Sequence, residues 1–267
     1  MGVSDAITYV GFHLAFVVPA LAAVALYRRF RGRDEWVSTL KVGTPVVVFL
    51  AVAYTTPWDN YLVARGVWSY GEGTVLARLW WAPVEEYAFF VLQSILAALW
   101  VGSLDVVDLS AATISTRQRV VGALAAAAVA AVGLYWVFRG GQTLYLGAIV
   151  AWAAPVLGVQ WAFGWPVLVR ARRTFVLGVL APTLYLAIAD RIAIEAGVWT
   201  LSPTYTTGVT VLGLPIEEGL FFLVTNVFVV QSLVLLRWVF VAPASAIPAP
   251  LRRFVRLRPT RSDSVPR

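Results

Sequence analysis

Seven apolar segments of this chain are each long enough to cross a lipid bilayer. A hydrocarbon core about 30 Å thick is spanned by about 20 helical residues. The segments fall at residues 6–27, 41–57, 79–101, 119–138, 143–163, 174–194 and 213–240. Hydrophobic residues make up 60% of the chain, well above the apolar share of soluble domains. The sequence therefore predicts an all-α, multi-pass integral membrane protein of the cell membrane.

The distribution of basic residues predicts the orientation of these segments. Of the 21 Lys and Arg residues, 17 fall on one side of the seven-segment arrangement and four on the other. By the positive-inside rule the N-terminus lies outside and the C-terminus in the cytoplasm. The net charge of +7 is explained in this way, so membrane lipids rather than nucleic acid are the expected partners. Residues 241–267 are rich in Pro and Arg and are expected to form a disordered cytoplasmic tail near anionic lipid headgroups.

The eight-residue pattern Pro-x-Glu-Glu-x-x-Phe-Phe occurs twice, 132 positions apart, beginning at Pro83 and Pro215. An aspartate and a Gly-Val-Trp triplet precede each copy and recur at 131 positions. These matches predict two parallel three-helix repeats related by an axis along the membrane normal. The repeats occupy residues 1–104 and 143–240, and residues 105–142 form a connector with the fourth helix. Chance similarity between apolar segments is the alternative.

Six carboxylates belong to the repeated pattern. They are Asp59, Glu85, Glu86, Asp190, Glu217 and Glu218. Charge within a membrane is costly, and such residues usually mark a functional site. Because burial and neighbouring carboxylates favour the neutral form, a cluster of this kind can hold an acid beside a base. The simpler interpretation is helix capping, since a proline followed by acids is an ordinary helix start.

Aromatic rings follow the paired glutamates at helical spacing. Phe89 and Phe90 lie one turn after the first pair, and Phe221 and Phe222 one turn after the second. Acid and ring therefore share a face, where the rings can bind substrate and stabilise a passing carbocation. Most tryptophans, including Trp58, Trp68 and Trp199, fall near segment ends and are interpreted as an interfacial belt.

Several function classes are disfavoured. The chain has no cysteine and one histidine, His13, so neither a thiolate nor a histidine metal site is expected. It carries no phosphate loop or nucleotide fingerprint, and no cofactor is predicted. Its only lysine, Lys41, lies at a loop edge, which argues against a retinal photoreceptor. A proton-coupled transporter with parallel repeats remains an alternative, although no segment is visibly broken by Gly and Pro in the middle of the membrane. A non-catalytic carotenoid- or lipid-binding protein is a third class.

The duplicated Pro-x-Glu-Glu motif resembles the signature of the small membrane lycopene cyclases of archaea, actinobacteria and fungi. Residues 83–86 and 215–218 carry it, and the chain is similar to the fused two-repeat form of that family. The resemblance implies a redox-neutral, acid/base cyclisation of the ends of lycopene to β-rings, giving β-carotene by way of γ-carotene. A C50 carotenoid is an alternative substrate. The implied partners are a lipid-soluble carotenoid and, as candidates, other enzymes of carotenoid biosynthesis.

The resemblance also implies roles for the six acids. We expect Glu85 and Glu217 to face the cavity as acid or base, with their neighbours in the motif orienting them. Asp59 and Asp190 are expected as their proton partners. The sequence does not distinguish the proton donor from the acceptor.

Overall fold

The computed structural model describes residues 7–31 and 33–247, and the predicted tail lies outside these residues from position 248 onward. Its principal elements are seven long helices. They are α1 (Tyr9–Arg31), α2 (Val37–Ala64), α3 (Val84–Val101), α4 (Thr116–Arg139), α5 (Leu144–Arg170), α6 (Arg172–Glu195) and α7 (Ile216–Val241). Each is long and apolar enough to cross a membrane, which confirms the seven predicted segments.

Helix α2 extends further than the apolar pattern indicates. Pro57 lies inside α2, and the helix continues to Ala64 instead of ending at residue 57. As a result Asp59 lies within the last two turns of α2 and does not close it. Asp190 lies at the equivalent position near the end of α6.

Three short antiparallel ribbons, which the sequence did not predict, join the helices. The strands are β1 (Trp68–Tyr70), β2 (Arg78–Leu79), β3 (Ala82–Pro83), β4 (Trp199–Leu201), β5 (Thr210–Val211) and β6 (Leu214–Pro215). β1 pairs with β4, β2 with β3, and β5 with β6. Strands of two or three residues are too short to produce an alternating pattern in the sequence. The all-α prediction is therefore incomplete at this end of the helices.

The two motif prolines end strands instead of occupying the first helical turn. Pro83 and Pro215 are the N-cap residues of α3 and α7, and each is paired in a hairpin, with Arg78 and Thr210 respectively. The hairpins explain why these helices start three to five residues later than predicted.

The ribbons gather one end of the helical bundle. The amide of Tyr9, at the start of α1, donates to the carbonyl of Thr74 at 2.8 Å, and that of Tyr145, at the start of α5, donates to Tyr205 at 3.1 Å. The β1–β4 pair, centred on Ser69 opposite Thr200, connects the loops that follow α2 and α6. The first turns of α1, α3, α5 and α7 thus meet the last turns of α2 and α6.

Two helices depart from regular geometry. α1 contains a π-helical turn over His13–Val17. α5 has non-helical backbone angles at Gly164, near its end.

Helix α4 packs closely on α5 through small residues. A Cβ atom added to Gly133 would fall on the backbone nitrogen of Ala151, and one added to Gly147 would meet the nitrogen of Val137 at 2.6 Å. Lipid tails are as apolar as the side chains, so the hydrophobic effect does not drive helices together within a membrane. Close packing of the two backbones favours their association instead.

Alanine substitution should destabilise the protein at a glycine in close backbone contact and have little effect at a glycine with space around it. Gly133→Ala forces the two backbones apart and should destabilise the protein by about 1–3 kcal/mol. Gly158→Ala is the matched control, because its added methyl meets Ala126 at an ordinary 3.5 Å. Thermal loss of helical circular dichroism in detergent measures both. Equal midpoints for the two variants would contradict the close packing of α4 on α5.

Candidate active site

Four carboxyl groups line one cavity of about 50 Å³ at the ribbon end of the bundle. They are Asp59 of α2, Glu86 of α3, Asp190 of α6 and Glu218 of α7. The remaining lining residues are Leu201 and the aromatic residues Tyr9, Phe12, Trp58, Trp68, Phe89, Tyr145, Trp199, Phe221 and Phe222. A cluster of acids enclosed by aromatic rings in a membrane bundle can exchange protons with a bound apolar molecule.

Glu86 accepts a hydrogen bond from a tyrosine of the β1 strand. The Tyr70 hydroxyl donates to Glu86 Oε1 at 2.6 Å, and Trp68 Nε1 donates to the Tyr70 oxygen at 2.8 Å. Burial, followed by the nearby carboxyls of Glu86 and Asp59, raises the pKa of Tyr70 well above its ordinary value. Tyr70 therefore keeps its proton and acts as a donor that fixes the Glu86 carboxyl.

Glu218 has one tyrosine partner, whereas Glu86 interacts with both Tyr70 and Tyr9. The Tyr145 hydroxyl, from the first turn of α5, donates to Glu218 Oε1 at 2.9 Å. Trp199 Nε1 donates to Asp190 Oδ1 at 3.1 Å instead of to a tyrosine. Leu201 stands 131 positions after Tyr70 and carries no hydroxyl. The two halves therefore present matched acids in unequal hydrogen-bonding environments.

The other glutamate of each pair holds a loop. Glu85 Oε1 accepts from the amide of Leu76 at 2.7 Å, and Glu217 Oε1 accepts from the amide and hydroxyl of Thr207 at 2.7 and 2.8 Å. Neither lines the cavity. The expectation that Glu85 and Glu217 face the cavity is wrong in this geometry. Adjacent helical residues diverge by about 100°, and the hairpin loops cover the side on which these two lie.

Both cavity aspartates are buried. Asp59 is 3% exposed and Asp190 is 1% exposed. Asp59 lies near enough to Glu86, and Asp190 to Glu218, for electrostatic interaction. Their Oδ2 atoms have no hydrogen-bond partner among the described residues. Each aspartate therefore has one carboxyl oxygen that makes no hydrogen bond, in the vicinity of a second carboxyl group.

The four motif phenylalanines all line a cavity. Phe89 and Phe222 meet edge to face, with ring centroids 6.1 Å apart and planes at 78°. Phe221 stacks on Trp58 at 5.8 Å and 3°. Phe90 lines a second, larger cavity, of about 380 Å³, which also has Phe221 in its wall.

Several residues of the site were not predicted. Tyr9 and Tyr145, which line the cavity, and Tyr70, which bonds Glu86, bear no motif of their own. Trp68 and Trp199 belong to the repeated Gly-Val-Trp triplets, and that repetition was the available signal. Both are 8% exposed and lie in the cavity wall, so their assignment to an interfacial belt is wrong.

Other candidate groups lie apart from the cavity lining. His13 is buried and stacks on Phe89, with centroids 6.1 Å apart and planes at 11°. Over residues 7–31 and 33–247, no three His, Cys, Asp or Glu side chains are placed to share a metal ion.

The lycopene cyclase family model matches residues 7–102 and 142–236 of this chain. The chain is 50% identical to a lycopene beta-cyclase of Halobacterium salinarum over 232 residues, which is 87% of this chain and 97% of that protein.

Fungal proteins are also similar. A bifunctional lycopene cyclase/phytoene synthase of Gibberella fujikuroi is 31% identical over 233 residues, covering 85% of this chain and 39% of that protein. An Aspergillus oryzae protein of the same description is 31% identical over 237 residues, again covering 85% and 39%. No solved structure matches the chain.

Removal of the Glu217 side chain should expose the loop at Thr207 without altering the surroundings of Glu218. Glu217→Ala leaves the amide of Thr207 without its acceptor, which costs about 1–3 kcal/mol of local stability. Hydrogen exchange at that amide should accelerate accordingly.

Glu218→Gln is the comparison variant, because Glu218 does not bond this loop. It should leave the Thr207 amide protected. Equal acceleration in both variants would contradict the separate roles of Glu217 and Glu218.

Proposed function

The chain belongs to the lycopene cyclase family, and we propose that it is an enzyme that converts the linear ends of lycopene into β-rings. The product is β-carotene, formed by way of the one-ring γ-carotene. The observation that carries the proposal is the cluster of four carboxyls inside an aromatic wall. The 50% identity to an archaeal lycopene beta-cyclase supports the ring type.

The proposed reaction is an isomerisation that takes up one proton and releases one proton for each ring. An acid protonates C2 of the terminal alkene and leaves a cation at C1. The C5–C6 double bond attacks this cation, so that the C1–C6 bond closes the ring and the charge moves to C5. A base then removes the proton from C6, and the β-ring double bond forms. No oxidation state changes overall, so the proposal includes no redox cofactor.

We assign the acid and base work to Glu86 and Glu218 together. Both line the cavity, and each accepts a hydrogen bond from a tyrosine that holds its carboxyl in one orientation. Asp59 and Asp190 restore protons to these groups after each turnover. Glu85 and Glu217 act on the loops, as their contacts indicate.

The aromatic wall has two tasks in this mechanism. The faces of Phe89, Phe221 and Phe222 stabilise the cation by cation–π attraction. The same rings exclude water, which would otherwise quench the cation. The uncharged polyene needs no polar recognition, which suits a site that has few polar groups apart from its acids.

We further infer the repeat architecture and the membrane orientation. Tyr54 of α2 donates to the Trp152 carbonyl at 2.8 Å, and Tyr185 of α6 donates to the Phe16 carbonyl at 2.7 Å, so matching contacts run from each half to the other. These bonds support parallel repeats over residues 1–104 and 143–240, with an axis along the membrane normal between Ser69 and Thr200.

The proposed connector is residues 105–142, which include α4. The proposed orientation places the N-terminus, the ribbons and the carboxyl cavity toward the outer face of the cell membrane. The C-terminus then lies in the cytoplasm.

Amide substitution of the two cavity glutamates tests the site. Glu86→Gln and Glu218→Gln remove a transferable proton each and should each lower cyclisation by about 10²–10⁴-fold. Chromatography of pigments from a lycopene-accumulating bacterial host measures the conversion. Glu195→Gln is the control, since Glu195 pairs with Arg191 at an exposed position, and it should leave conversion unchanged.

Full conversion by both cavity variants, at equal membrane abundance, would place the acid and base elsewhere. Lycopene left unchanged by well-folded wild-type protein would exclude the C40 substrate. Longer, C50 carotenoids would then be the next substrates to test.

Isotope labelling tests the proton balance. When the reaction runs in D₂O, the proposed mechanism places one deuterium at C2 of each ring that forms. Mass spectrometry of β-carotene should therefore show up to two deuterium atoms per molecule and one in γ-carotene. Product free of deuterium would contradict protonation by groups that exchange with solvent.

A further inference from the structure

The second cavity, here named the side chamber, lies between α2, α3, α5 and α7. Its volume is about 380 Å³, several times that of the carboxyl cavity. Ala51, Ser94, Val156 and Val229 each contribute to its wall from one of the four helices. The proposed mechanism uses only the end of the substrate, so the side chamber is a site to which it assigns no function.

The side chamber is apolar and opens toward the membrane. Leu50 of α2 and Val159 of α5 line it, and they are 53% and 73% exposed on the outer surface of the bundle. Both lie inside helices that are long enough to span a bilayer. The medium at this opening is therefore lipid, and a molecule that enters here is lipid-soluble.

Several polar side chains of the side chamber are hydrogen-bonded within the protein, whereas Gln160 Oε1 and Trp152 Nε1 have no partner among the described residues. Gln160 Nε2 donates to the Phe228 carbonyl and to Ser232 Oγ, both at 2.9 Å. Gln93 Nε2 donates to Thr225 Oγ1. The wall thus offers mainly apolar surface, which favours a hydrocarbon over a polar headgroup.

The side chamber is also elongated. Its wall on α7 runs from Phe221 to Ser232, which is about 16 Å at 1.5 Å per residue. This is about half of a hydrocarbon core roughly 30 Å thick. An extended polyene can therefore occupy the side chamber with one part and leave the remainder in the lipid.

Phe221 separates the side chamber from the carboxyl cavity, since its ring lines both. The ring packs beside Trp58, at 5.8 Å, and Trp152, at 6.3 Å, which stack on each other at 4.7 Å. The carboxyl cavity of about 50 Å³ is about a third of the volume of an engineered cavity, roughly 150 Å³, that binds benzene. The end of a polyene can enter only when part of the aromatic wall moves, and movement of Phe221 would join the two cavities.

We propose that the side chamber binds the linear polyene chain of the substrate. The chain enters sideways from the bilayer between α2 and α5 and displaces the Phe221 ring, so that its end reaches the carboxyls. This inference rests on the proposed cyclase function, and it adds a binding site for the part of the molecule that does not react.

A bulky side chain that fills the side chamber tests the proposal. The measurement is the amount of lycopene bound and not the rate of its conversion. In a Glu218→Gln background, which keeps the substrate unconverted, Ala51→Trp places an indole in the side chamber. Ala53→Trp is the matched control, because residue 53 lies on the same helix, is exposed and does not line the side chamber. Each protein is purified in detergent from a lycopene-accumulating host. The readout is the visible polyene absorbance per unit of protein.

The Ala51→Trp protein should retain at least about tenfold less lycopene, equivalent to about 1.4 kcal/mol of binding. The Ala53→Trp protein should retain as much as the background. Equal retention by the two tryptophan variants, or none by the background protein, would overturn the proposal.

A second measurement applies if Ala51→Trp does not fold. Because the chain has no cysteine, a single Val159→Cys substitution reports on the opening of the side chamber. The variant is placed in lipid vesicles with and without lycopene. Lycopene should slow the reaction of the Val159→Cys thiol with an apolar maleimide. Leu124→Cys, on the exposed face of α4, should react at the same rate with and without lycopene.

The two proposals fail in different ways. Protection of Val159→Cys without any β-carotene from the wild-type protein would retain the side chamber and reject the proposed conversion of lycopene. Cyclisation by the wild-type protein without protection of Val159→Cys would retain the function and reject the side chamber.

Discussion

The burial of several carboxyl groups in an apolar helical bundle is the constraint on which the rest of the structure depends. An acid within a membrane is costly unless hydrogen bonds or a partner compensate for the loss of water. Here the compensation comes from the ribbon end of the bundle. The β1 strand supplies Tyr70, the β4 strand supplies Trp199, and the loops before α3 and α7 supply backbone amides. The short ribbons are therefore part of the site as well as connections between helices.

This constraint explains why each motif contains two adjacent glutamates. A single glutamate at the start of the helix could hold the loop or face the cavity, but not both, because one side chain cannot reach both places. With about 100° between neighbours, Glu217 bonds Thr207 while Glu218 meets Tyr145 in the cavity. The loop that Glu217 fixes precedes the hairpin leading into α7. The glutamate that faces the loop thus helps to position the one that faces the cavity.

The sequence predicted the long helices and the repeated acids. It did not predict the short ribbons or which glutamate of each pair points into the cavity. Seven apolar segments and six repeated acids are visible in the sequence because membrane thickness and duplication leave strong patterns. The ribbons are too short to show a period. The choice of Glu86 over Glu85 for the cavity depends on where the loop folds, which no local pattern encodes. Trp68 and Trp199 were misinterpreted because position near a segment end is equally typical of an interfacial belt.

The unequal environments of the two halves bear on the proposed chemistry. Duplication alone would give Glu86 and Glu218 identical surroundings, yet an acid and a base must hold their protons differently at the same moment. The chain departs from symmetry at the partners of the acids. Tyr70 binds Glu86 in one half, and Leu201 takes the equivalent sequence position in the other, where Trp199 bonds Asp190 instead. If each ring closes between these two glutamates, the asymmetry of their partners is what allows a duplicated site to perform a reaction with two different steps.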